Sequence, residues 1–342
     1  MKSKLYPALL LIAVFAITSC SKNSNPTPKP PTNPIKTDSI VTTPIWSSDA
    51  DVYFVGTSEQ GNKNAATYWK NGVATVLSSG DDATGIAISG NDIYVTGRSG
   101  GGAAYWKNGV LTSLKVSQST TEAFAITTNG NDIYIAGDID AKATYWKNGV
   151  ATSVQPNQLL NSVANAIAVN GNDVYLAGYT ISVAGVFQAA YWKNGILTQL
   201  SPAPLPGTST QATGIAVSGT DVYVTGYTND GATLWKNGVA TVLSKPGVAV
   251  ANSIIVNGSD TYVSGFSNAV VTYWKNGTAV NLSPGNIGNL IDASYVALDG
   301  NDIYVAGGLS ASPEGSIYWR NGIPYLFSKG LNDIKGIIVV PH

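Results

Sequence analysis

The chain has 342 residues, 44% hydrophobic and only 11% charged, with 37 glycines. That length suffices for a large core, and the composition excludes both a disordered chain and a charge-laced helical protein. Nineteen basic against 20 acidic residues leave no electrostatic footprint for nucleic acid, and one Cys, one Met and one His exclude a disulfide framework, a His/Cys metal site and histidine-based catalysis.

Residues Met1 to Cys20 carry two early lysines, Lys2 and Lys4, then an apolar run from Leu5 to Ile17, then Ile17-Thr18-Ser19-Cys20. This is the layout of a secretory signal peptide, too short to span a bilayer as a helix. Its last four residues resemble the lipobox of bacterial lipoproteins, in which the cysteine is diacylated and becomes the new N-terminus. The resemblance implies a signal peptide over 1–19, a lipidated Cys20 and an outer-membrane destination, since Ser21 follows the cysteine. A structural cysteine, or a signal cut elsewhere, is the alternative. Residues 20–44 form the expected tether: Pro26, Pro28, Pro30, Pro31, Pro34 and Pro44 lie among Ser, Thr, Asn and Lys. Extended at about 3.1 Å per residue, the segment reaches roughly 75 Å.

From residue 45 onward the chain is repetitive. Seven tryptophans, Trp69, Trp106, Trp146, Trp192, Trp235, Trp274 and Trp319, each sit in Tyr-Trp-Lys-Asn-Gly or a variant, such as the one opened by Leu234 or the one carrying Arg320. A second motif, Gly-Asn-Asp-Ile-Tyr or similar, sets Asp51, Asp92, Asp132, Asp173, Asp221, Asp260 and Asp302 ahead of them. Each unit reads as four short strands, shown by Gly85–Ser89, Asp92–Gly97, Ala103–Lys107 and Val110–Leu114, with Gly90-Asn91 and Asn108-Gly109 as hairpin turns. A four-stranded meander cannot cover both its faces alone, so the units must stack. The expected fold is all-β, a seven-bladed β-propeller of four-stranded antiparallel blades over residues 45–342.

The chain ends in Gly336-Ile337-Ile338-Val339-Val340, a strand one with no blade after it. It is expected to complete blade one and close the ring. Pro44-Ile45-Trp46-Ser47 aligns in the same register and competes for that slot.

The stretch Ala-Tyr-Trp-Lys-Asn-Gly-Val-Leu-Thr-Ser-Leu at 104–114 resembles the HAF-type repeat of extracellular β-propellers, and Gly-Asn-Asp-Ile-Tyr-Val-Thr-Gly at 90–97 is similar to the seven-bladed repeat of secreted bacterial proteins. The resemblance spans about residues 50 to 340, lacks the His-Ala-Phe that names the first family, and implies fold and location without any catalytic residue.

Residues present in every unit serve the unit. The repeated Tyr and Trp point to opposite faces of strand three and each offers a ring to one neighbouring blade. The seven tryptophans are thus assigned to packing. The repeated Asp is expected to accept backbone N–H bonds at its turn, and the repeated lysines to be solvated charges. The turns between strands one and two and between three and four are uniformly tight. The opposite end carries the length variation, from the short Gly97–Gly102 to the long Gly178–Gln188 and Ser201–Thr213, and variable loops on a fixed scaffold are where binding concentrates. Just after the terminal glycine of strand two stand Thr57, Arg98, Asp138, Tyr179, Tyr227, Phe266 and Gly308, expected to ring the upper mouth of the channel. Arg98, Asp138, Tyr179, Tyr227 and Phe266 are the candidate ligand-binding rim, suited to a glycan or peptide.

The carboxylates outside the repeat, among them Asp81, Asp82, Glu122, Asp138 and Asp140, show no spacing that singles out a glycosidase pair or a calcium loop. No catalytic residue, metal or cofactor is assigned. The leading expectation is a lipid-anchored, extracytoplasmic, monomeric module at the bacterial cell envelope that binds an envelope protein or glycan, meets the membrane only through its anchor and takes no nucleic acid. A carbohydrate-active enzyme using loop carboxylates, and a structural envelope component without a ligand, are the alternatives.

Overall fold

The computed structural model describes residues 41, 46, 49–61, 63–154, 161–201, 208–244, 247–268, 270–282, 290–309, 316–327 and 331–342, with the backbone alone at 290–294, 308–309 and 331–333. Cys20, the signal segment and nearly all of the tether lie outside the described residues.

The local chemistry of the turns sets the blades. At each of the seven Asn-Gly pairs both residues have positive φ, for example Asn108 at 50° and Gly109 at 82°. This is the type I′ geometry whose twist matches flanking strands. The six Gly-led turns place positive φ on the glycine, as Gly90 does at 57°. Blade two shows the result: Asp82–Ser89, Asp92–Ser99, Gly102–Lys107 and Val110–Ser113 pair antiparallel in sequence order. The turns between strands two and three are also two residues long in five blades, as at Ser99↔Gly102 and Ile139↔Lys142. Variation at that end therefore resides in blades four and seven and in the connections between blades.

Seven four-stranded sheets result, and each innermost strand packs against the innermost strand of the next blade until the seventh meets the first. The ring closes as expected: Leu331–Pro341 pairs antiparallel with Ala50–Gln60, matching Val52 to Val339 and Phe54 to Ile337. Of the competing segment 44–47 only Trp46 lies among the described residues, and it does not occupy that slot. Val41 forms a parallel bridge to Tyr325 on the outermost strand of blade seven, donating to Pro324 O at 3.1 Å and accepting from Leu326 N at 3.0 Å. Trp46 stacks on Tyr318 with centroids 5.7 Å apart and meets Phe54 and Phe327 edge-on. Val41 and Trp46 thus contact the closing seam from outside, and the chain already touches the propeller at Val41, ahead of the expected start at residue 45.

Between blades, each repeat Trp is buried against the preceding blade. Trp106 packs with Val55, Ala66 and Leu77 of blade one, while Tyr105 faces the cluster around Trp146. Trp146 lies against blade two, Trp192 against Tyr134 and Ala143 of blade three, and Trp235 against Tyr175 and Ala189 of blade four. Trp274 meets Tyr223 of blade five, and Trp319 meets Tyr262 and Tyr273 of blade six. Trp69 closes the series against Tyr304, Tyr318 and Phe327 of blade seven. All seven are at most 3% exposed. Their polar edges are less uniform than their positions. The Trp106 indole N–H donates to Ser78 O at 3.1 Å, whereas those of Trp192, Trp235, Trp274 and Trp319 are buried without an acceptor among the described residues. The buried volume of the tryptophan is what all seven blades share.

The repeated Asp works differently from the expectation. Asn108 Oδ1, and not Asp92, takes the backbone N–H of Ile93 at 2.9 Å, while Asp92 accepts the Asn108 amide at 2.8 Å and the Lys107 ammonium at 2.7 Å. Lys107 also lies 5.3 Å from the Tyr94 ring centroid. The same Asp–Asn–Lys–Tyr cluster recurs, with Arg320 in blade seven, so the repeated cations are ion-paired and stacked and not simply solvated. The Lys hydrogen bond, then the Asn amide, holds Asp92, Asp132, Asp173 and Asp221 below the usual carboxylate range. The charged groups of the repeat at this end are used within their own blade.

Candidate functional site

The axis of the ring is a channel of about 560 Å³ lined by innermost strands from all seven blades. Each of these strands carries a β-bulge. The register skips one residue between Ala83 and Gly85, Ala123 and Ala125, Ala164 and Ala166, Ala212 and Gly214, and Ala251 and Ser253. The skipped residues are Thr84, Phe124, Asn165, Thr213 and Asn252, with Lys335 in blade one, and all six line the channel. A bulge re-aims a side chain, and here it turns one residue inward in each of blades one to six. Several of these also join blades at the bulge: Thr84 Oγ1 donates to Ala123 O at 2.7 Å, Asn165 Nδ2 to Ala212 O at 2.9 Å and Thr213 Oγ1 to Ala251 O at 2.5 Å.

The bulge explains the glycine that ends strand two. A Cβ on Gly97, Gly137, Gly178, Gly226 or Gly265 would stand 1.9 to 2.1 Å from a carbonyl oxygen of the bulged strand. Close approach, with no unusual φ, demands glycine there. The next residue is the predicted rim position, and it pairs across to the residue just before the bulge. The pairs are Thr57↔Asp333, Arg98↔Asp82, Asp138↔Glu122, Tyr179↔Val163, Tyr227↔Gln211, Phe266↔Val250 and Gly308↔Asp292. Around the ring of blades these pairs sort into two arcs. Blades seven, one, two and three carry an acidic residue on the innermost strand, while blades four, five and six carry the three aromatic rings.

Neighbouring blades meet at this level. Thr57 Oγ1 donates to Asp82 at 2.7 Å and Arg98 pairs with Glu122 at 3.3 Å, each contact running from one blade to the next. The equivalent partner for Asp138 in blade four is Val163, which has no donor to offer. Asp138 is accordingly 7% exposed, with one oxygen accepting Ala141 N–H at 3.1 Å and no donor on the other among the described residues. Burial pushes its carboxyl up to about 6 against the opposing pull of the Ala141 N–H, and the nearby carboxylates Glu122 and Asp140 raise it further. The Tyr179 phenol is raised by burial and then by Asp138 and Tyr227, so these groups sit within electrostatic reach of one another. Tyr179 also packs on Phe187, with centroids 5.2 Å apart. Tyr179, Tyr227 and Phe266 are half-buried.

A raised carboxyl stabilises the fold while protonated. That contribution is complete below the unfolded value and is lost as pH rises through about 6. Asp138→Asn keeps an acceptor for Ala141 N–H and is never charged. It is expected to match the wild type near pH 4 and to be about 2–3 kcal/mol more stable at pH 8, measured by urea unfolding at both pH values. Equal stability of the two proteins at pH 8 would contradict the buried, donor-poor carboxylate.

The channel lining includes none of Arg98, Asp138, Tyr179, Tyr227 and Phe266, and sequence reasoning missed both the bulge row that does line it and the acidic row paired to the predicted rim. The signal was present: an Ala before most of the bulges and a Gly opposite, with a residue between that varies among Thr, Phe, Asn and Lys.

No protein-family model matches this chain, and no curated protein matches it significantly. Among solved structures it is similar to a Mycobacterium tuberculosis puromycin-hydrolyzing peptidase at 10% identity and TM-score 0.54, over 90% of this chain and 56% of that one. It is also similar to a putative 6-phosphogluconolactonase from Bacteroides fragilis at 16% identity and TM-score 0.47, covering 87% and 100% of the two chains. The WD40 propeller domain of Doa1 aligns at 14% identity and TM-score 0.47, covering 78% and 93%. These likenesses concern the fold alone.

Proposed function

We propose that this propeller is a non-catalytic binding module whose ligand enters the upper mouth. The observation that carries the reading is the contrast between two ends of one scaffold. At the Asn-Gly end every blade repeats the same self-satisfied cluster; at the opposite end the residue after the strand-two glycine differs blade by blade, on a scaffold whose axial channel of about 560 Å³ is lined by the innermost strands. Fixed packing with individual rim residues is what a binding site on a repeat scaffold requires. Arg98, Asp138, Tyr179, Tyr227 and Phe266 are its proposed contacts.

The setting follows from the N-terminal sequence. Cys20 is proposed to carry a diacyl anchor at the cell envelope, with residues 20–44 as the spacer and an envelope protein or glycan as ligand. The HAF-type resemblance supports this extracytoplasmic reading. Cys20→Ala is expected to abolish palmitate labelling; labelling that persists would reject the anchor. For the mouth, a Tyr179→Ala/Tyr227→Ala variant is expected to recover its partner from envelope extract at least about fivefold less well than the wild type, with melting little changed. Equal recovery would move the site elsewhere, and no recovery by either protein would favour a purely structural component.

One observation favours a second reading as a carbohydrate-active enzyme. Asp138 and Glu122 are directly paired across strands, and a carboxyl raised to about 6 suits a general acid. Turnover on a polysaccharide panel, lost in Asp138→Asn, would establish it.

A further inference from the structure

The mouth has a polarity that a generic glycan or peptide site does not need. The four acidic positions Asp292, Asp333, Asp82 and Glu122 fall on consecutive blades, and the three rings Tyr179, Tyr227 and Phe266 fill the remaining arc. The arcs meet between blades three and four, where Asp138 stands beside Tyr179. Protein cations do not complete this junction. Arg98 is engaged by Glu122 at 3.3 Å, and Asp138, only 7% exposed, has a carboxylate oxygen without a donor among the described residues. A buried carboxylate without a cation is costly, and the cost is relieved by any cation that reaches it.

Resting on the reading of the mouth as a binding site, we propose that its ligand presents an organic ammonium group, placed against Asp138 with the attached chain against Tyr179 and Tyr227. An ammonium nitrogen supplies the missing donor to Asp138, and the faces of the two rings attract its positive charge and cover its methylenes. A bare metal ion fits less well, because the aromatic arc gives it no ligands. Asp138 faces Glu122 across the strand pair, with Asp140 in the adjoining turn and Tyr179 of the next blade within electrostatic reach; none of these is a cation, and Arg98 is held by Glu122 at 3.3 Å.

The same nitrogen occurs in a free polyamine and in a lysine side chain. Two probes separate these sources: spermidine, and a blocked Ala-Lys-Ala tripeptide, each titrated calorimetrically beside its N-acetylated form at near-physiological salt and pH 8. At least one free amine is expected to bind, with its acetylated form weaker by about tenfold or more. Asp138→Asn is expected to lose about tenfold in affinity, Tyr227→Ala severalfold, and Asp230→Asn, an exposed carboxylate in the turn after strand two of blade five, less than about twofold. Binding of spermidine alone assigns a polyamine, and binding of the tripeptide alone assigns a protein segment. Absence of binding by both amines, acetylated forms that bind equally, or an Asp138→Asn variant that binds as the wild type would each overturn the ammonium. If recovery from envelope extract still depends on Tyr179 and Tyr227 in that event, the binding module stands and only the ligand class falls.

Discussion

Termination after Lys335 is expected to lower the melting temperature by about 10 °C or more, or to prevent soluble folding. The deletion removes the partners of Asp51 to Val55, leaving the strand of Val52 and Phe54 with a free inner edge. Val339 leaves the buried cluster at the seam, and Ile337 leaves both that cluster and the channel wall. At about 1.5–3 kcal/mol for each fully buried aliphatic side chain, the four lost residues Ile337 to Val340, only partly buried as a set, contribute on the order of 5 kcal/mol. The exposed strand edge adds an aggregation hazard. Trp46 cannot stand in for them, because it packs on Tyr318 and Phe327 at the face of the seam and the strand slot is elsewhere. Thermal melting and limited proteolysis of the truncated chain check this. A melting point within a degree or two of wild type would show that the ring does not depend on its C-terminal strand.

That closing strand illustrates how much the sequence disclosed. Residues 336–340 match strand one of the other repeats, and their pairing with Ala50–Gln60 supplies the inner strand of blade one. The Asn-Gly pairs disclose the hairpins because few other dipeptides accept positive φ twice. Sequence reading stops where a structural decision depends on two strands at once. The fate of Trp46 turned on three-dimensional space at the seam, where Phe54, Tyr318 and Phe327 form a slot that no local pattern announces. The inward turn of Thr84, Asn165 and Thr213 depends on a bulge that appears only when the glycine of one strand is laid against the carbonyl of another. The lysine role failed for a related reason. Lys107 precedes a turn and looks solvated along the chain, but the turn brings it to Asp92, well back in the sequence and 2.7 Å away in space.

Trp146 and the tyrosine pair at the mouth separate scaffold from site. Trp146 is 1% exposed and fills the space between blades two and three, packed with Tyr94, Leu114 and Ile135. Trp146→Ala leaves a cavity that fixed neighbouring sheets cannot collapse into, at an expected cost of about 3–5 kcal/mol and a fall in melting temperature of roughly 10 °C. Any ligand lost by that variant is lost with the fold, so binding per folded molecule stays near wild type. Tyr179 and Tyr227 are half-buried, and the main packing forfeited is the contact of Tyr179 with Phe187. Changing both to Ala is expected to cost about 1–2 kcal/mol while removing most binding at the mouth. Plotted as affinity against melting temperature, the two variants should fall on different axes. A tyrosine pair that unfolds as badly as Trp146→Ala would make those rings part of the core, because a ligand surface must be removable without removing what holds it.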